Sequence, residues 1–385
     1  MHLTQLDIEG FRSLASVSWK PGDLNVVIGP NGSGKSNLLR LLEMISAGAQ
    51  GKLSDYVQSA GGMSALVWDG QARGIRYTLK TLPDKADLPR TAYAVTLASL
   101  GQGASYFIME ETLTDAGETI PYLQRSDLEA TIYGFDAPIT LKQNAVPEGE
   151  LVLFVADNPL IPDIKIPVFA GYLQAWSIYH TINVSADAAI RQAVVTRHET
   201  RVSPNGQNLI NVLNTLYTSD REFKTLINSA MRAAFGPDYD ELIFPPVSTQ
   251  RVELQVRWKT LKREQSAADL SDGTLRFLFL LTVLANPHPA PLIAIDEPET
   301  GLHPSMLPII AEYAVEASRR TQVIFTTHSD QFLDAFGETK PTTTIAKWEE
   351  GRTTLTTLAE DELAYWLKDY TLGKLFRTGE LEALA

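Results

Sequence analysis

The amino-terminal part of the chain shows two strand-like patterns followed by a helix-like one. Apolar and polar side chains alternate over residues 3–9, which predicts a half-buried strand. Leu24–Ile28 is an uninterrupted apolar run that ends at Gly29, and it predicts a fully buried strand. The segment Asn37–Ile45 is rich in helix formers. We therefore predict a strand, a glycine-rich loop and a helix in direct succession.

The middle of the chain changes pattern twice. Between about residues 50 and 150, short β-type runs separated by glycines predict antiparallel hairpins. Between about residues 170 and 235, helical patterns dominate, most clearly in Arg221–Phe235. Residues 251–258 alternate again and predict one strand. The middle therefore combines hairpins with a mainly helical segment.

Helices and buried strands alternate from residue 269 onward. The pattern predicts helices at Thr274–Leu284 and Leu307–Ser318, and buried strands at Pro291–Ile295 and Gln322–Thr326. Strands that alternate with helices usually pair in parallel. We therefore expect a largely parallel sheet in this part of the chain.

Both ends of the chain share this α/β pattern, and the middle differs from them. We predict an α/β fold with a mixed sheet, antiparallel β hairpins and an inserted helical subdomain. Its amino-terminal part covers residues 1–165, the insert residues 166–250, and the carboxy-terminal part residues 251–385. One lobe would then be built from both ends of the chain.

Composition narrows the class of protein. The 385 residues are 44% hydrophobic and 21% charged, a balance typical of globular proteins. No run approaches the ~18 consecutive apolar residues of a membrane helix, and the first residues do not resemble a secretory signal. We therefore expect a cytoplasmic protein without a membrane partner. The absence of cysteine excludes disulfides and cysteine-ligated metals.

The distribution of charge bears on DNA as a partner. A net charge of −13 disfavours sequence-independent binding to DNA unless basic residues cluster. Two candidate clusters exist: the stronger is Arg251, Arg257, Lys259, Lys262 and Arg263, and the weaker is Arg191, Arg197, His198 and Arg201. Each is either a phosphate-binding patch or an ordinary solvated face.

The loop after the buried strand has the composition of a phosphate loop. Residues 29–36 read Gly-Pro-Asn-Gly-Ser-Gly-Lys-Ser. Glycines let successive N–H groups point at one phosphate, and the helix that follows adds its positive end. Lys35 is expected to reach the β and γ phosphates of ATP, and the Ser36 hydroxyl to bind Mg²⁺. The expected nucleotide contacts are Asn31, Gly32, Ser33, Gly34, Lys35, Ser36 and Asn37.

Two adjacent acids follow the apolar strand at residues 291–295. Asp296 falls at the carboxyl end of that strand, where ligands collect in open α/β sheets, and is expected to hold Mg²⁺ directly or through water. Glu297 is then expected to orient or deprotonate the attacking water, as a catalytic residue. The alternative is a strand that simply ends in surface acids, which the phosphate loop makes the weaker interpretation.

Two further segments carry candidate site residues. In Leu-Ser-Asp-Gly-Thr at residues 270–274, Ser271 and Gly273 stand where a helix begins and could bind an anion. A simple helix cap is the alternative, and it accounts for the local fold. In Thr-Thr-His-Ser at residues 326–329, His328 follows a buried strand and should fall at the same sheet edge as Asp296. A purely structural histidine is the alternative there.

Taken in order, these motifs resemble the ABC-type ATPases that include SMC, RecF and the overcoming-lysogenization-defect proteins. The set comprises the phosphate loop, the 270–274 signature, Asp-Glu-Pro-Glu at 296–299, Thr-Gly-Leu-His-Pro at 300–304 and Thr-His-Ser at 327–329. The stand-alone bacterial AAA-type ATPases of that branch match best, since they also begin with a strand and a Phe-Arg-Ser turn, here residues 11–13. The fold implied is an ABC-type P-loop NTPase lobe.

The resemblance implies several roles. Two lobes would meet head to tail, so that Ser271, Gly273 and Thr274 of one copy contact the γ-phosphate bound to the other. His328 would act as the catalytic switch histidine. Arg12 and Ser13 would lie near the nucleotide, and Glu299–Pro304 would touch the partner lobe. Because one chain has one phosphate loop and one signature, the resemblance implies at least a homodimer.

The chain also departs from its relatives. No sustained heptad repeat indicates a long coiled coil. Glu360, Asp361 and Glu362 fall on a predicted helix and do not suggest the acidic metal cluster of a TOPRIM nuclease, so we expect no nuclease in this chain. Gln58 is a weak candidate for the glutamine of the Q-loop, and a surface glutamine is the alternative.

Three functions follow, of different classes. The leading hypothesis is an ATP-driven dimerisation switch that works on DNA or on a partner effector such as a nuclease, in phage defence or DNA repair. The second is a non-catalytic, ATP-gated scaffold or sensor. The third, a transporter's ATPase subunit, is disfavoured by the acidic signature, the Phe-Arg-Ser start and the large insert.

Overall fold

The computed structural model describes every residue except 71, 84–89, 101–104, 116–119, 127–128, 134–137, 142–145, 148, 158–164, 369 and 384–385. The strands are β1 (His2–Phe11), β2 (Leu14–Trp19), β3 (Leu24–Ile28), β4 (Gly74–Leu82), β5 (Thr91–Ser99), β6 (Tyr106–Asp115), β7 (Leu123–Ser126), β8 (Glu129–Tyr133), β9 (Pro138–Leu141), β10 (Ser177–Tyr179), β11 (Val194–Val195), β12 (Tyr239–Ile243), β13 (Pro246–Ser248), β14 (Arg251–Val252), β15 (Gln255–Trp258), β16 (Gln265–Ser266), β17 (Leu292–Asp296), β18 (Gln322–Thr327), β19 (Thr342–Glu349) and β20 (Arg352–Thr357). The helices are α1 (Lys35–Ala49), α2 (Leu53–Ser59), α3 (Lys165–Gln174), α4 (Leu209–Ser219), α5 (Arg221–Phe235), α6 (Asp272–Leu284), α7 (Leu307–Ser318), α8 (Asp330–Asp334), α9 (Glu360–Trp366), α10 (Leu372–Arg377) and α11 (Glu380–Ala383).

These elements group into two compact units. The first contains Met1–Trp176 and Thr342–Ala359, and the second contains Ser177–Pro341 and Glu360–Leu384. The three segments predicted from the sequence follow different boundaries, so that division stays a prediction. Among the helices described here, none is long and apolar enough to cross a membrane.

An antiparallel sheet dominates the first unit. Its strand order is β2-β1-β4-β5-β6-β7-β8-β9, and each neighbouring pair is antiparallel. Strand β4 shows why this sheet forms: Ile75, Tyr77 and Leu79 are buried, whereas Arg76 and Lys80, which point to the other face, are exposed. Alternation of this kind places one face of a sheet on a core and leaves the other in water. The predicted hairpins are thereby confirmed.

The first unit also contains the strand, loop and helix predicted near the amino terminus. All residues of β3 are buried, as expected for a strand covered on both faces. Strand β3 pairs in parallel with β19, which in turn pairs antiparallel with β20. Helix α1 begins directly after the glycine-rich loop and buries the apolar face that contains Leu38, Leu42 and Ile45. This prediction is confirmed.

The second unit contains three neighbouring parallel strands, β10, β17 and β18. Strands β17 and β18 confirm the two buried strands predicted here, and their register places Asp296 opposite Thr326. Strand β10 lies beside β17 and was missed, because it has three residues within a region of helical pattern. Tyr179 holds it in place by donating to Val202 O at 2.8 Å and by stacking edge-on against Phe279.

The single strand predicted at residues 251–258 is wrong. The structure divides it into β14 and β15, which belong to two different three-stranded sheets, β11-β14-β13 and β12-β15-β16. Between them, Glu253 N donates to Pro245 O and Leu254 O accepts from Ala267 N, so the backbone changes partners at this point. Val252, Leu254 and Val256 are all buried, and this unbroken alternation hid the change from the sequence pattern.

Candidate nucleotide-binding site

The phosphate loop has a backbone that glycine alone accommodates easily. Gly34, the residue before α1, has φ of +95°, in the left-handed region. A Cβ on Gly34 would press against Thr353 Oγ1 and lie 2.6 Å from Ser13 Oγ. A Cβ on Gly29 would likewise press against Ala346 O. The loop is therefore shaped by its glycines and lies directly on β19 and β20.

Lys35 is folded across this loop. Its Nζ donates to Gly29 O at 2.7 Å and to Pro30 O at 3.0 Å, and the residue is only 5% exposed. The ammonium group therefore already lies along the inner curve of the loop. Buried Ser33 Oγ has no hydrogen-bond partner within the described part of the chain. A buried polar atom of this kind is costly unless a ligand satisfies it, so the loop fits an anion.

Ser13 and Asn37 support the loop from behind. Asn37 Nδ2 donates to Ser13 Oγ at 2.7 Å, and the hydroxyls of Ser13 and Thr353 are hydrogen-bonded at 2.7 Å. Thr353 Oγ1 also donates to Ser33 O at 2.8 Å. These bonds give Ser13 and Asn37 a positioning role, and their predicted contact with nucleotide stays a prediction. Thr353 was not predicted as a site residue, because no motif in the sequence around it indicates this role.

Arg12 occupies the turn before Ser13 with a backbone φ of +46°. Burial lowers the pKa of its guanidinium, and the nearby charge of Arg40 lowers it further, while Tyr56 and Glu43 act in the opposite direction. Arg12 Nε is buried and has no hydrogen-bond partner among the described residues. A partly desolvated guanidinium next to another cation is stabilised by an anion, so this residue also fits a phosphate ligand.

In the second unit, Asp296 ends β17 and is held from two sides. Thr326 Oγ1, on the neighbouring strand, donates to Asp296 Oδ1. His180 Nδ1, from the residue after β10, lies 3.5 Å from Asp296 Oδ2. The three residues come from the carboxyl ends of three adjacent parallel strands, which is where such sheets bind ligands. His180 was missed because the strand before it was missed.

Glu297 follows in a strained backbone conformation. Its φ is +46°, which costs a non-glycine residue roughly 1–3 kcal/mol. Glu297 N donates to Thr326 O at 3.0 Å, and Thr300 N donates to Glu297 O at 3.0 Å. This turn brings Glu297 Oε1 to 3.1 Å from His328 Nδ1. The two predicted catalytic residues of this unit are therefore in contact.

Glu299 is a second carboxylate next to His328. Its Oε1 accepts from Thr327 Oγ1 at 2.6 Å and from His328 N at 3.4 Å, and it lies 3.9 Å from His328 Nδ1. Burial raises the pKa of Glu299, against the hydrogen bond from Thr327, which lowers it. Glu299 was predicted only as part of the segment Glu299–Pro304 that would contact the partner lobe. The acidic Asp-Glu-Pro-Glu motif was the available signal, but its partner Thr327 is distant in the chain.

The signature begins α6. Ser271 Oγ accepts from Thr274 N at 3.1 Å, and the two hydroxyls lie 2.8 Å apart, so Ser271 is the N-cap and Thr274 is engaged in the cap. Ser271 is exposed and Thr274 is buried. A Cβ on Gly273 would lie 2.8 Å from Gly301 O, which explains the glycine. The helix-cap interpretation is therefore correct, and the capped end remains accessible to a ligand.

Several residues of the two basic clusters are bonded within the protein. Arg257 Nη1 lies 2.6 Å from Glu241 and Arg257 Nη2 lies 3.3 Å from Glu264, while Lys259 donates to Pro237 O. Arg191 and Arg201 donate to backbone carbonyls. These bonds favour the solvated-face alternative for the first cluster and a structural role for the two arginines of the second.

The family comparison gives the chain its class. The family described as "AAA domain, putative AbiEii toxin, Type IV TA system" matches residues 24–88 and 182–334, more than half of the chain. The chain belongs to this AAA-domain family. The match includes the phosphate loop, the signature, Asp296 and His328, so the predicted ABC/SMC-like P-loop ATPase class is confirmed.

Solved structures show the same fold for this AAA-domain protein. An SMC head bound to the C-winged helix domain of ScpA is 14% identical with a TM-score of 0.60, covering 95% of this chain and all of that one. An Smc head with an extended coiled coil, bound to the C-terminal domain of ScpA and derived from Pyrococcus furiosus, is 12% identical with a TM-score of 0.58, covering 96% and 99%. At this identity the likeness shows the fold alone. No curated protein matches the chain.

A long coiled coil is absent from the described part of the AAA-domain protein. Its longest helices, α1 and α5, have 15 residues each. The same part contains no group of three or more His, Asp or Glu side chains that could hold a metal by themselves.

Proposed function

We propose that this chain binds ATP with Mg²⁺ and hydrolyses it. The observation that carries the proposal is the contact of Glu297 with His328, held by a strained turn at the carboxyl edge of the parallel strands. Strain of this kind persists where a precise side-chain position is needed, as in catalytic sites. The anion-compatible phosphate loop supplies the binding half of the proposal.

The roles follow from the chemistry of each side chain. Lys35 exchanges its two carbonyl partners for phosphate oxygens, and the N–H groups of residues 31–37 line the β and γ phosphates. Glu297 accepts a hydrogen bond from the attacking water, and His328 contacts the γ-phosphate. Ser36 and Asp296 offer the hard oxygen donors that Mg²⁺ prefers, and the bound ion would neutralise charge on the phosphates.

We further propose that two copies associate through the nucleotide. Ser271, Gly273 and Thr274 would read the γ-phosphate bound by the second copy, since the exposed helix start is suited to an anion. Glu299–Pro304 would contact the partner beside it. ATP would then favour the dimer, and hydrolysis would release it.

The downstream partner is proposed to be a protein effector in the cytoplasm. DNA is the weaker candidate, because the net charge is −13 and Arg257, within the stronger basic cluster, is paired with Glu241 and Glu264. The chain's family is described by a toxin of a type IV toxin–antitoxin system, and this supports a role in defence over one in DNA repair.

Phosphate release and ATP binding together test the enzymatic proposal. Glu297→Gln is expected to abolish steady-state release while ATP binding remains, and Lys35→Ala is expected to abolish binding. Turnover that persists in Glu297→Gln would refute the role of Glu297. A wild-type chain that binds ATP without releasing phosphate would instead favour the ATP-gated scaffold.

A further inference from the structure

Arg191 is the most extensively bonded arginine near the signature. It ends a short 3-10 turn, Ala189–Arg191, and its side chain is only 8% exposed. Its Nε donates to Val184 O at 2.8 Å. Its Nη1 donates to Leu270 O at 2.6 Å and reaches Ala267 O and Ala268 O, both at 3.2 Å. Its Nη2 is paired with the Asp272 carboxylate.

These partners lie on both sides of Ser271. Ala267–Asp269 is a 3-10 turn, and the carbonyls of Ala267 and Ala268 accept from the guanidinium, as does the carbonyl of Leu270 directly after the turn. Asp272 belongs to the first turn of α6, the next element. One rigid, planar group therefore fixes the angle between the turn and the helix, and with it the direction of the Ser271 hydroxyl and the Gly273 N–H.

We propose that Arg191 is the positioning residue of the signature, holding Ser271 and Gly273 in the geometry that reads the nucleotide on a second copy of this chain. The inference rests on the proposed dimer. It replaces the interpretation of Arg191 as part of a DNA-binding patch, because a guanidinium bonded to four carbonyls and a carboxylate is not available to DNA phosphates.

The chain offers a matched control in Arg201. Its Nε donates to His288 O at 3.1 Å and its Nη2 to Pro289 O at 3.3 Å, so it too binds backbone carbonyls of the second unit. None of these contacts involves the signature. A general loss of stability should follow from replacing either arginine, whereas a specific effect on dimerisation should follow only from replacing Arg191.

The experiment uses the full chain with Glu297→Gln, so that bound ATP is retained. Arg191→Met, Arg191→Lys and Arg201→Met are added one at a time. Sedimentation with and without ATP gives the dimer dissociation constant. Calorimetry gives the affinity of the monomer for ATP, and hydrogen exchange gives the protection of residues 267–274. Arg191→Lys keeps the charge and the aliphatic stem, so it serves even where Arg191→Met fails to fold, but one ammonium cannot span both sides of Ser271.

We expect both Arg191 variants to weaken the ATP dimer by roughly tenfold or more and to speed exchange at 267–274, with ATP affinity of the monomer changed less than about twofold. Arg201→Met should leave all three readouts near the parent. Parent-like dimerisation and exchange in Arg191→Lys would overturn the proposal. A parent that stays monomeric with saturating ATP would overturn the dimer switch, and the role of Arg191 with it.

Discussion

The phosphate loop and the acidic loop after β17 are held in place by different means. The phosphate loop is shaped by its own glycines and backed by hydroxyls of Ser13 and Thr353. The acidic loop contains no such run of glycines, and the neighbouring strand end orients it through Thr326 and Thr327. A site can thus be fixed by backbone conformation in one region and by side-chain partners in another. Changes in the first should act on binding, and changes in the second on turnover.

Two glycine substitutions test the first half of this comparison with the largest effect. Gly34→Ala combines a left-handed backbone with contact against Thr353, whereas Gly32→Ala has φ of +83° and nothing within 4 Å of the new Cβ. We expect Gly32→Ala to lower the free energy of unfolding by about 1 kcal/mol, and Gly34→Ala by a further ~1–3 kcal/mol with loss of ATP binding. Urea unfolding and nucleotide titration measure both. Equal losses in the two variants would mean that β20 does not constrain the loop.

A threonine in β18 tests the second half. Thr326→Val removes the hydroxyl that orients Asp296 but keeps the side-chain shape. Because such supporting residues typically change activity 10–100-fold, we expect kcat to fall about tenfold with little change in ATP affinity. Steady-state kinetics at varied ATP concentration measures kcat and KM separately. A change confined to KM would contradict the proposed division between binding and turnover.

The reciprocal change is Thr353→Val, behind the phosphate loop. It removes one hydrogen bond to Ser33 O and one to Ser13. Loss of about 1 kcal/mol of support predicts ATP affinity roughly fivefold weaker, with kcat unchanged. The same steady-state assay measures the effects of Thr353→Val and Thr326→Val in parallel. Lower kcat here, at unchanged affinity, would argue against a binding role for this contact.

The smallest expected effect concerns Glu299 and pH. Burial raises its pKa in the folded chain, so the stability associated with its neutral form is present below the unfolded pKa and is lost as pH rises through the folded value. As pH rises from about 4 to about 7, the stability of Glu299→Gln should therefore increase relative to that of the wild type, because the variant has no carboxyl group to ionise. Exposed Glu264, whose pKa is lowered by a backbone hydrogen bond and by Arg257, should show the opposite trend as Glu264→Gln. Thermal unfolding at both pH values measures these stability differences. A difference between Glu299→Gln and the wild type that does not change with pH would contradict the raised pKa of Glu299.

The sequence predicted what is contiguous and missed what is distant. Leu24–Ile28, the glycine loop and α1 follow one another, so periodicity and composition were enough. Asp296 ends one apolar strand and His328 directly follows another, so the sequence pattern located both residues at the carboxyl ends of those strands. His180, Glu299 and Thr353 could not be found this way, because their roles depend on partners between 28 and 340 positions away along the chain or on a three-residue strand.

The basic residues teach a related limit. Arg191 and Arg257 count as surface charges in a sequence, and only the folded chain shows one bonded around the signature and the other paired with two glutamates. A cluster of basic residues in a sequence shows only that positive charges are close along the chain. Binding of DNA phosphates depends on which of those charges are not already paired with the protein's own groups.

The hydrogen bond from Thr353 to Ser33 O has a consequence for the order of events during synthesis. The two residues are 320 positions apart, so the backing of the phosphate loop leaves the ribosome long after the loop itself. Domains fold as their segments emerge, at roughly 5–20 residues per second. We therefore expect a nascent chain that ends before β20 to carry the complete Gly-Lys-Ser motif yet to bind ATP poorly, so that nucleotide binding marks a chain that has been synthesised at least through β20.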